Sequence, residues 1–207
     1  MASRVILARH GNTFGPADVP VWVGARSDLP LVEKGLAQAQ ALAEMLQKAH
    51  IIPEIVVAGP LQRTRRTAEI VAEALKLPSD KIHIDARLKE IDYGAWEGKS
   101  SEAIIAAGDG AELAAWNKAS VFPVSPGWSP SEAQIIVDSC AIMAELNKGT
   151  SLIITSNGIL RFFALAAVNA QDFPDRKVST RHICVMEHGA DGWRITQWNQ
   201  PPERFAV

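Results

Sequence analysis

Residues 5–13 read Val-Ile-Leu-Ala-Arg-His-Gly-Asn-Thr, so that four apolar residues pass directly into a polar segment. An uninterrupted apolar run of this length is typical of a strand that is buried on both faces of a parallel sheet. Arg9 and His10 would then lie where this strand ends. We therefore interpret the stretch as the first strand of an α/β protein and as the first part of a candidate site.

Helices and further strands follow in alternation along the chain. Apolar residues at spacings of three and four predict the helices, whereas short apolar runs predict the strands. The predicted elements are a helix over 33–48, a strand over 55–58, a helix that begins at Pro60, a helix that begins at the capping box Ser129-Pro130-Ser131-Glu132 and runs to about Asn147, a strand over 152–154, a helix from Ser156-Asn157-Gly158 to about Ala167, and two closing strands over 183–186 and 193–198 with a hairpin turn at Ala190-Asp191-Gly192.

This alternation favours an α/β protein with three layers, in which helices cover both faces of a mostly parallel central sheet. The chain has 207 residues and shows neither a linker nor an internal repeat, so we expect a single domain over 1–207. Residues 108–129 contain several Gly, Pro and Trp and are expected to form an irregular excursion between helices. Residues 100–128 are our candidate for a cap that selects the substrate.

Composition excludes several classes of protein. Lys and Arg number 21 against 23 Asp and Glu, and this near-balance argues against a nucleic-acid partner. The longest apolar run, over 162–168, is far shorter than the ~20 residues of a membrane span, so a soluble protein without a membrane partner is expected. Cys140 and Cys184 form neither a metal-binding spacing nor a disulfide framework; we expect both to be small core residues of a cytoplasmic protein.

Polar side chains follow three of the predicted strands. Arg9, His10, Asn12 and Thr13 follow the first, Arg63 follows the second, and Ser156 and Asn157 follow the third. Ligands of α/β sheets bind beyond the carboxyl ends of the strands, and both guanidinium groups and helix N-termini favour anions. The joint placement predicts an oxyanion site, and phosphate is the oxyanion that we expect there. Arg63 alone is more typical of a solvated charge, and Asn157 alone of a helix N-cap.

Four segments in order resemble the motifs of the histidine phosphatase superfamily, the phosphoglycerate-mutase-like fold. They are Leu7-Ala8-Arg9-His10-Gly11-Asn12-Thr13, Gly24-Ala25-Arg26-Ser27-Asp28-Leu29-Pro30-Leu31, Gly59-Pro60-Leu61-Gln62-Arg63-Thr64 and Glu90-Ile91-Asp92-Tyr93-Gly94-Ala95-Trp96-Glu97-Gly98. The last of these is similar to the acidic segment of the phosphatase branch. The resemblance extends from residue 5 to about residue 198.

The resemblance implies a role for each motif residue. His10 would be the nucleophile that accepts the phosphoryl group, and Glu90 would protonate the leaving oxygen and then deprotonate the attacking water. Arg9 and Arg63 would clamp the phosphoryl oxygens. The partner would be a small phosphorylated substrate, and neither a metal nor another cofactor would be required.

Four further residues complete the candidate site. Thr13 and Asn157 are candidates for phosphate binding. Asn12 and Arg26 are candidates for substrate binding, with Arg26 facing a second anionic group of the substrate. Whether the chain forms a homodimer is left open by the sequence.

One position departs from the family pattern. The family usually has a second histidine after its later strand, whereas Ile154-Thr155-Ser156-Asn157-Gly158 has Asn157 at that position. An amide donates a hydrogen bond to a phosphoryl oxygen but carries no charge. Since hydrogen bonds to charged groups contribute about 1.5–3 kcal/mol and neutral ones about 1 kcal/mol, the exchange predicts slower turnover rather than none.

The sequence leaves two functions from different classes open. The first is a phosphatase for a small phosphate monoester, which the retention of His10 and Glu90 favours. The second is a phosphate-binding or regulatory protein with little catalysis, which Asn157 favours. A cofactor-dependent phosphoglycerate mutase is a weaker third option, because Gly94-Ala95-Trp96-Glu97-Gly98 resembles the phosphatases.

Overall fold

The computed structural model describes residues 3–205, which are built around a sheet of six strands in the order β3-β2-β4-β1-β5-β6. Neighbours among β1 to β4 pair in parallel, whereas β5 is antiparallel to β1 and to β6. The predicted mostly parallel sheet and the closing hairpin are confirmed. The strands are β1 (Ser3–Arg9), β2 (Ile55–Ala58), β3 (Ile82–Ile84), β4 (Thr150–Thr155), β5 (Ile183–Gly189) and β6 (Gly192–Gln200).

Helices cover both faces of this sheet, which confirms the three-layer α/β/α class. They are α1 (Glu33–Lys48), α2 (Gln62–Leu75), α3 (Ser101–Ile104), α4 (Gly110–Ala119), α5 (Glu132–Glu145) and α6 (Asn157–Phe163). Because successive side chains of a strand point to opposite faces, Ile6 packs with α1 and α2, whereas Val5 and Leu7 pack with α5 and α6. Both faces of β1 are thus covered by mainly apolar side chains, which explains why the strand is a continuous apolar run in the sequence.

The strand order brings three polar strand ends together. Strand β4 lies between β1 and β2, with Thr155 beside Arg9 and Ile154 beside Ala58. The carboxyl ends of these three parallel strands therefore meet at one edge of the sheet. The polar residues that follow β1, β2 and β4 are therefore close enough to form one site.

The loop after β1 is held closely against the start of α1. The Asn12 backbone N–H donates to Gln38 Oε1 at 2.8 Å, and the Val32 N–H donates to the Asn12 carbonyl at 3.1 Å. A Cβ on Gly11 would lie 2.7 Å from the Gly35 Cα, so only glycine permits this approach. The loop that carries His10 is thus fixed on a helix rather than free.

Two predicted helix starts were wrong. Helix α2 begins at Gln62 rather than at Pro60, because the Asp28 carboxylate accepts the Gln62 N–H at 2.7 Å and so marks the first turn. Helix α5 begins at Glu132, and its N-cap is Ser131, whose hydroxyl accepts the Gln134 N–H at 3.3 Å. Ser129 lies outside the helix because its backbone pairs with that of Asp92.

Two further expectations are corrected. Residues 110–119, expected to be irregular, form the Ala-rich helix α4 after a kink at Gly108, which has a φ of 102°. Cys140 is exposed on α5 rather than a core residue, whereas Cys184 is buried as expected. Within residues 3–205, no helix is long and apolar enough to cross a membrane.

An aromatic cluster joins α4 to the rest of the molecule. The ring of Trp128 lies 4.7–5.2 Å from those of Tyr93, Trp96, Trp116 and Phe122, at mostly edge-to-face angles. Such pairs contribute about 0.5–1.5 kcal/mol each beyond the burial of their area. The cluster fixes α4 over the edge of the sheet where the strand ends meet.

Candidate active site

A cavity of 590 Å³ opens at this edge of the sheet. Every residue of the first motif from Arg9 to Thr13 lines it, together with Arg63, Glu90 and Asn157. The structure therefore brings together the candidate residues from all three strand ends. The other lining residues are Phe14, Pro20, Val21, Trp22, Val23, Tyr93, Ser101, Trp116, Asn117, Arg161, Lys177, Ser179 and Thr180.

His10 is buried and presents one ring nitrogen with a free lone pair. Its Nδ1 lies 2.7 Å from the Gly11 carbonyl oxygen, which can only accept, so Nδ1 carries the proton. Nε2 is then the unprotonated nitrogen. Burial, followed by the charges of Arg63 and Arg9, lowers the pKa of His10 well below its ordinary value of 6.5. The ring is therefore neutral near pH 7, as a nucleophile must be.

Arg63 is fixed by the second motif segment. It is 1% exposed, and its Nη1 and Nη2 donate to the carbonyls of Ser27 at 2.7 Å and Gly24 at 3.2 Å. Burial lowers the pKa of Arg63, and the charge of Glu90 acts against that shift. Because carbonyls orient the guanidinium without neutralising it, Arg63 keeps a positive charge for an anion in the cavity.

Arg9 is oriented by a distant segment and keeps unused donors. Its Nη1 donates to the Val178 carbonyl at 2.7 Å, whereas its buried Nε has no hydrogen-bond partner among residues 3–205. Burial lowers the pKa of Arg9, with Glu90 acting in the opposite direction. Buried donors are nearly always satisfied, so an unpaired Nε in a cavity wall indicates a place for an anionic ligand.

The Glu90 carboxylate is held between two elements. Its Oε1 accepts the Ile91 N–H at 3.0 Å and its Oε2 accepts the Gly158 N–H at 3.2 Å. Tyr93 also hydrogen-bonds to Glu90, and burial together with the Glu90 charge raises the pKa of Tyr93 well above 10. A Cβ on residue 158 would lie 2.7 Å from the Tyr93 hydroxyl and closer still to Glu90, so a larger residue there would displace both side chains.

The residue type of Asn157 suggested a helix N-cap, but Asn157 does not cap helix α6. Ser156 occupies the N-cap position without a side-chain bond, and Asn157 is the first helical residue. The carboxamide oxygen of Asn157 accepts the Val178 N–H at 2.9 Å, and a backbone N–H requires the oxygen rather than the nitrogen at that place. The amide N–H₂ is therefore the end of Asn157 that remains available to a ligand.

The remaining candidates divide between the cavity and the surface. Asn12 and Thr13 line the cavity, and the buried Asn12 Oδ1 has no hydrogen-bond partner in the described part of the chain, residues 3–205. Arg26 does not line it: the guanidinium pairs with Asp92 at 3.1 Å and with Glu97 at 3.5 Å, and it is 57% exposed. These carboxylates draw Arg26 to the outer surface, so its expected role at the substrate is corrected.

The cavity-wall residues that sequence reasoning missed include Tyr93, Trp116, Arg161 and Lys177. A signal existed for Arg161, which lies four residues after Asn157 and hence on the same face of a helix. No pattern indicated Lys177, which lies on the irregular segment before β5. Within residues 3–205, no group of three or more His, Cys, Asp and Glu side chains could hold a metal ion.

Comparisons with known proteins agree on one family. The family model described as "Histidine phosphatase superfamily (branch 1)" matches residues 5–201. The "Probable phosphoglycerate mutase GpmB" of Proteus mirabilis (strain HI4320) is 26% identical over 204 residues, which cover 94% of this chain and 89% of that protein.

Two solved structures are similar over nearly their whole length. The complex of a mycobacterial glucosyl-3-phosphoglycerate phosphatase with inorganic phosphate has a TM-score of 0.78 at 25% identity and covers 99% of this chain and 100% of that chain. The alpha-ribazole phosphatase of Shigella flexneri has a TM-score of 0.71 at 22% identity, covers 95% of this chain and 96% of that chain, and shows a shared fold.

The lowered pKa of His10 predicts a pH dependence of stability. Below about pH 6.5 the unfolded chain binds a proton at His10 that the folded protein excludes, so folding stability should fall as the pH falls. We expect the free energy of unfolding of the wild type, relative to His10→Gln, to drop by about 1.4 kcal/mol per pH unit below pH 6.5. Urea unfolding of both proteins between pH 5 and 7.5 measures this, with His83→Gln, which removes an exposed imidazole, as the control. A constant difference between wild type and His10→Gln would contradict it.

Proposed function

Because the chain belongs to branch 1 of the histidine phosphatase superfamily, we propose that it is a phosphatase that hydrolyses a small phosphate monoester through a phosphohistidine on His10. The observation that carries the proposal is the neutral His10 ring, which shares one cavity with two guanidinium groups and with the Glu90 carboxyl group. A nucleophile, an anion clamp and a proton carrier are the parts that this reaction needs.

In the first step, the lone pair of His10 Nε2 attacks the phosphorus of the ester. The N–P bond forms as the bond between phosphorus and the ester oxygen breaks. Glu90, in its protonated form, gives its proton to the leaving alkoxide, which would otherwise leave poorly. The hydrogen bond from Nδ1 to the Gly11 carbonyl holds the ring in place and supports the positive charge that develops on it.

In the second step, water attacks the phosphorus of the phosphohistidine. Glu90, now a carboxylate, takes the proton of the water, the N–P bond breaks, and the lone pair returns to Nε2. Inorganic phosphate leaves, and both side chains regain their starting protonation states. Arg9 and Arg63 stabilise the charge on the phosphoryl oxygens in both steps.

Asn157 and Thr13 complete the phosphoryl-binding set in this proposal. The amide N–H₂ of Asn157 donates to a phosphoryl oxygen, while its oxygen keeps the Val178 N–H. A neutral donor contributes less than a charged one, so turnover is expected to be roughly tenfold to a hundredfold slower than with a histidinium there. Asn12, at the same wall, is proposed to contact the substrate beyond its phosphoryl group.

Residues 1–207 are proposed to form a single domain, in which residues 100–128 act as a cap over the bound substrate. Ser101, Trp116 and Asn117 from this segment line the cavity, and the aromatic cluster holds the segment over the strand ends. A small substrate would thereby be enclosed between the cap and the phosphoryl clamp. Enclosure of this kind excludes bulk water and strengthens the electrostatic interactions inside.

A phosphate-binding protein with little catalysis is the second candidate, and the neutral Asn157 is the observation that favours it. A pure binder would need the arginines but no proton donor for a leaving group. The held Glu90 carboxylate therefore favours the enzyme. A phosphoglycerate mutase is a third candidate, supported by the similarity to the Proteus mirabilis protein, which is named a probable phosphoglycerate mutase.

We expect a covalent phosphoryl group on His10 during turnover. Rapid mixing with p-nitrophenyl phosphate followed by an alkaline quench should leave a base-stable, acid-labile phosphoryl group on the peptide that contains His10. Mass spectrometry of digested wild type, His10→Ala and the control His83→Ala measures it. Phosphate on a different residue of a protein that turns over would show that the mechanism is wrong.

Glu90→Gln should affect poor leaving groups far more than good ones. Nitrophenolate leaves without a proton, whereas an alkoxide needs one, so kcat for an alkyl phosphate should fall about a hundredfold or more and kcat for p-nitrophenyl phosphate much less. Steady-state assays with both substrates provide the comparison within a single variant. If both rates fall equally, Glu90 is not the proton donor.

Asn157→His should raise turnover of a small phosphate ester by about tenfold below pH 7, because a protonated imidazole adds a charged donor. Asn157→Ala is the matched control and should lower turnover, since it removes the amide donor. Rates and thermal midpoints are to be measured for both variants. If the Asn157→His protein folds normally but turns over no faster than wild type, the missing charge at residue 157 does not limit turnover. That result would favour the phosphate-binding protein with little catalysis.

A further inference from the structure

The Glu97 carboxylate lies outside the cavity, beside the loop that holds Arg63. Its side chain is 5% exposed. Its Oε1 accepts two hydrogen bonds, one from the Arg26 N–H at 2.9 Å and one from the Ser27 hydroxyl at 2.8 Å. An enclosed carboxylate is costly unless it is hydrogen-bonded, so the carboxylate and the loop that supplies these donors hold each other in place.

Both carbonyl groups that hold Arg63 belong to this loop, residues 24–27. Arg63 donates to the Ser27 carbonyl at 2.7 Å and to the Gly24 carbonyl at 3.2 Å. Glu97 contacts both of these residues, since the Ser27 hydroxyl donates to it and a Cβ on Gly24 would lie 2.7 Å from its Oε2. The 24–27 loop is therefore in contact with the Glu97 carboxylate and with the Arg63 guanidinium.

Backbone hydrogen bonds hold the first part of the 24–27 loop. The Ala25 N–H donates to the Ile91 carbonyl at 3.0 Å. At the next residue, Arg26, the N–H donates to the side chain of Glu97 instead. The Ser27 carbonyl lies beyond this point and accepts the shorter of the two hydrogen bonds from the guanidinium. The position of that carbonyl therefore depends on Glu97.

The charge of Glu97 also acts on Arg63. Burial lowers the pKa of Arg63, and the charges of Glu90, Asp28 and Glu97 are among those that oppose this shift. Glu97 acts from the side of the loop, whereas Glu90 lines the cavity. Glu97 thus favours the charged form of Arg63 without occupying a place where a phosphoryl oxygen would bind.

We propose that Glu97 is a positioning residue for Arg63, which fixes the guanidinium in its phosphoryl-binding orientation through the carbonyls of Ser27 and Gly24. This role rests on the proposed phosphatase function, in which Arg63 clamps the phosphoryl oxygens. The orientation is set before an anion binds, which lowers the entropic cost of binding. Without the acceptor at Glu97, the Ser27 carbonyl would shift and the guanidinium would lose one of its two supports.

Binding of inorganic phosphate, measured by calorimetry or by ³¹P NMR, tests this role without turnover. Glu97→Ala removes the acceptor of both donors and should raise the dissociation constant for phosphate about tenfold or more. Loss of a nearby negative charge alone would tighten phosphate binding, so the sign of the change separates positioning from simple electrostatics. An unchanged or lower dissociation constant in a folded Glu97→Ala protein would overturn the proposal.

Conservative variants separate positioning from a structural role. Glu97→Gln keeps an oxygen that can accept both donors and should bind phosphate within about threefold of wild type. Ser27→Ala removes the hydroxyl donor and should weaken phosphate binding about threefold, which provides a second test if Glu97→Ala does not fold. Asp92→Asn is the matched control, since Asp92 pairs with the same Arg26 guanidinium whereas Ser27 donates to Glu97.

The dissociation constant of Asp92→Asn for phosphate should stay within about twofold of wild type. Thermal midpoints show whether each variant is folded. A Glu97→Gln or Asp92→Asn protein that binds phosphate as weakly as Glu97→Ala would overturn the proposal. Unchanged phosphate binding in Ser27→Ala would overturn it as well.

A double-mutant cycle shows whether Glu97 acts through Arg63. Arg63→Lys keeps a positive charge but lacks the two-armed donor that Gly24 and Ser27 hold. In that background, Glu97→Ala should change the dissociation constant for phosphate by about twofold or less. Equal effects of Glu97→Ala in both backgrounds would show that Glu97 supports the fold rather than Arg63, and would overturn the proposal.

Hydrolysis of p-nitrophenyl phosphate by wild type tests the phosphatase function separately. If the phosphate affinities change as expected but wild type hydrolyses no phosphate ester, the positioning role is supported and the phosphatase function fails. If wild type hydrolyses the ester while Glu97→Ala binds phosphate as tightly as wild type, the positioning role fails and the phosphatase function stands.

Discussion

Three buried or partly buried guanidinium groups, those of Arg9, Arg63 and Arg161, stand around one cavity, and backbone carbonyl oxygens hold all three. Among residues 3–205, none of them has a carboxylate oxygen within ion-pair distance. A carbonyl orients a cation but leaves its charge uncompensated. Unpaired charges are costly to bury, so the site is positive at the expense of folding stability, and an anion is the ligand that offsets this cost.

The same hydrogen bonds attach three connecting segments to the edge of the sheet. Arg63 holds the carbonyls of Gly24 and Ser27, Arg9 holds that of Val178, and Arg161 holds the end of α4. The three guanidinium groups that line the cavity therefore also hold its walls in place. A substitution that removes one arginine should disturb both the charge and the shape of the cavity.

His10 and Glu90 have opposite requirements within this positive field. The two nearby guanidinium groups and burial keep His10 neutral, which suits a nucleophile. Glu90 instead lies among donors, the N–H groups of Ile91 and Gly158 and the hydroxyl of Tyr93. His10 thus has a free lone pair that can attack phosphorus, and Glu90 has a carboxyl group in a fixed position that can transfer a proton. Hydrolysis of a phosphate ester needs both.

The sequence by itself determined five of the six strands, the class of fold and the motif residues that line the cavity, whereas the short strand β3 at the edge of the sheet was not predicted. Buried parallel strands are continuous apolar runs, and the strand ends at Arg9 and Asn157 are visible because the pattern is local. The tertiary structure alone decided the partners: Val178 for Asn157, Asp28 for the first turn of α2, and the surface carboxylates for Arg26. These partners lie between 21 and 71 residues apart in the chain and include backbone groups, which every residue carries, so no local pattern of side chains could identify them.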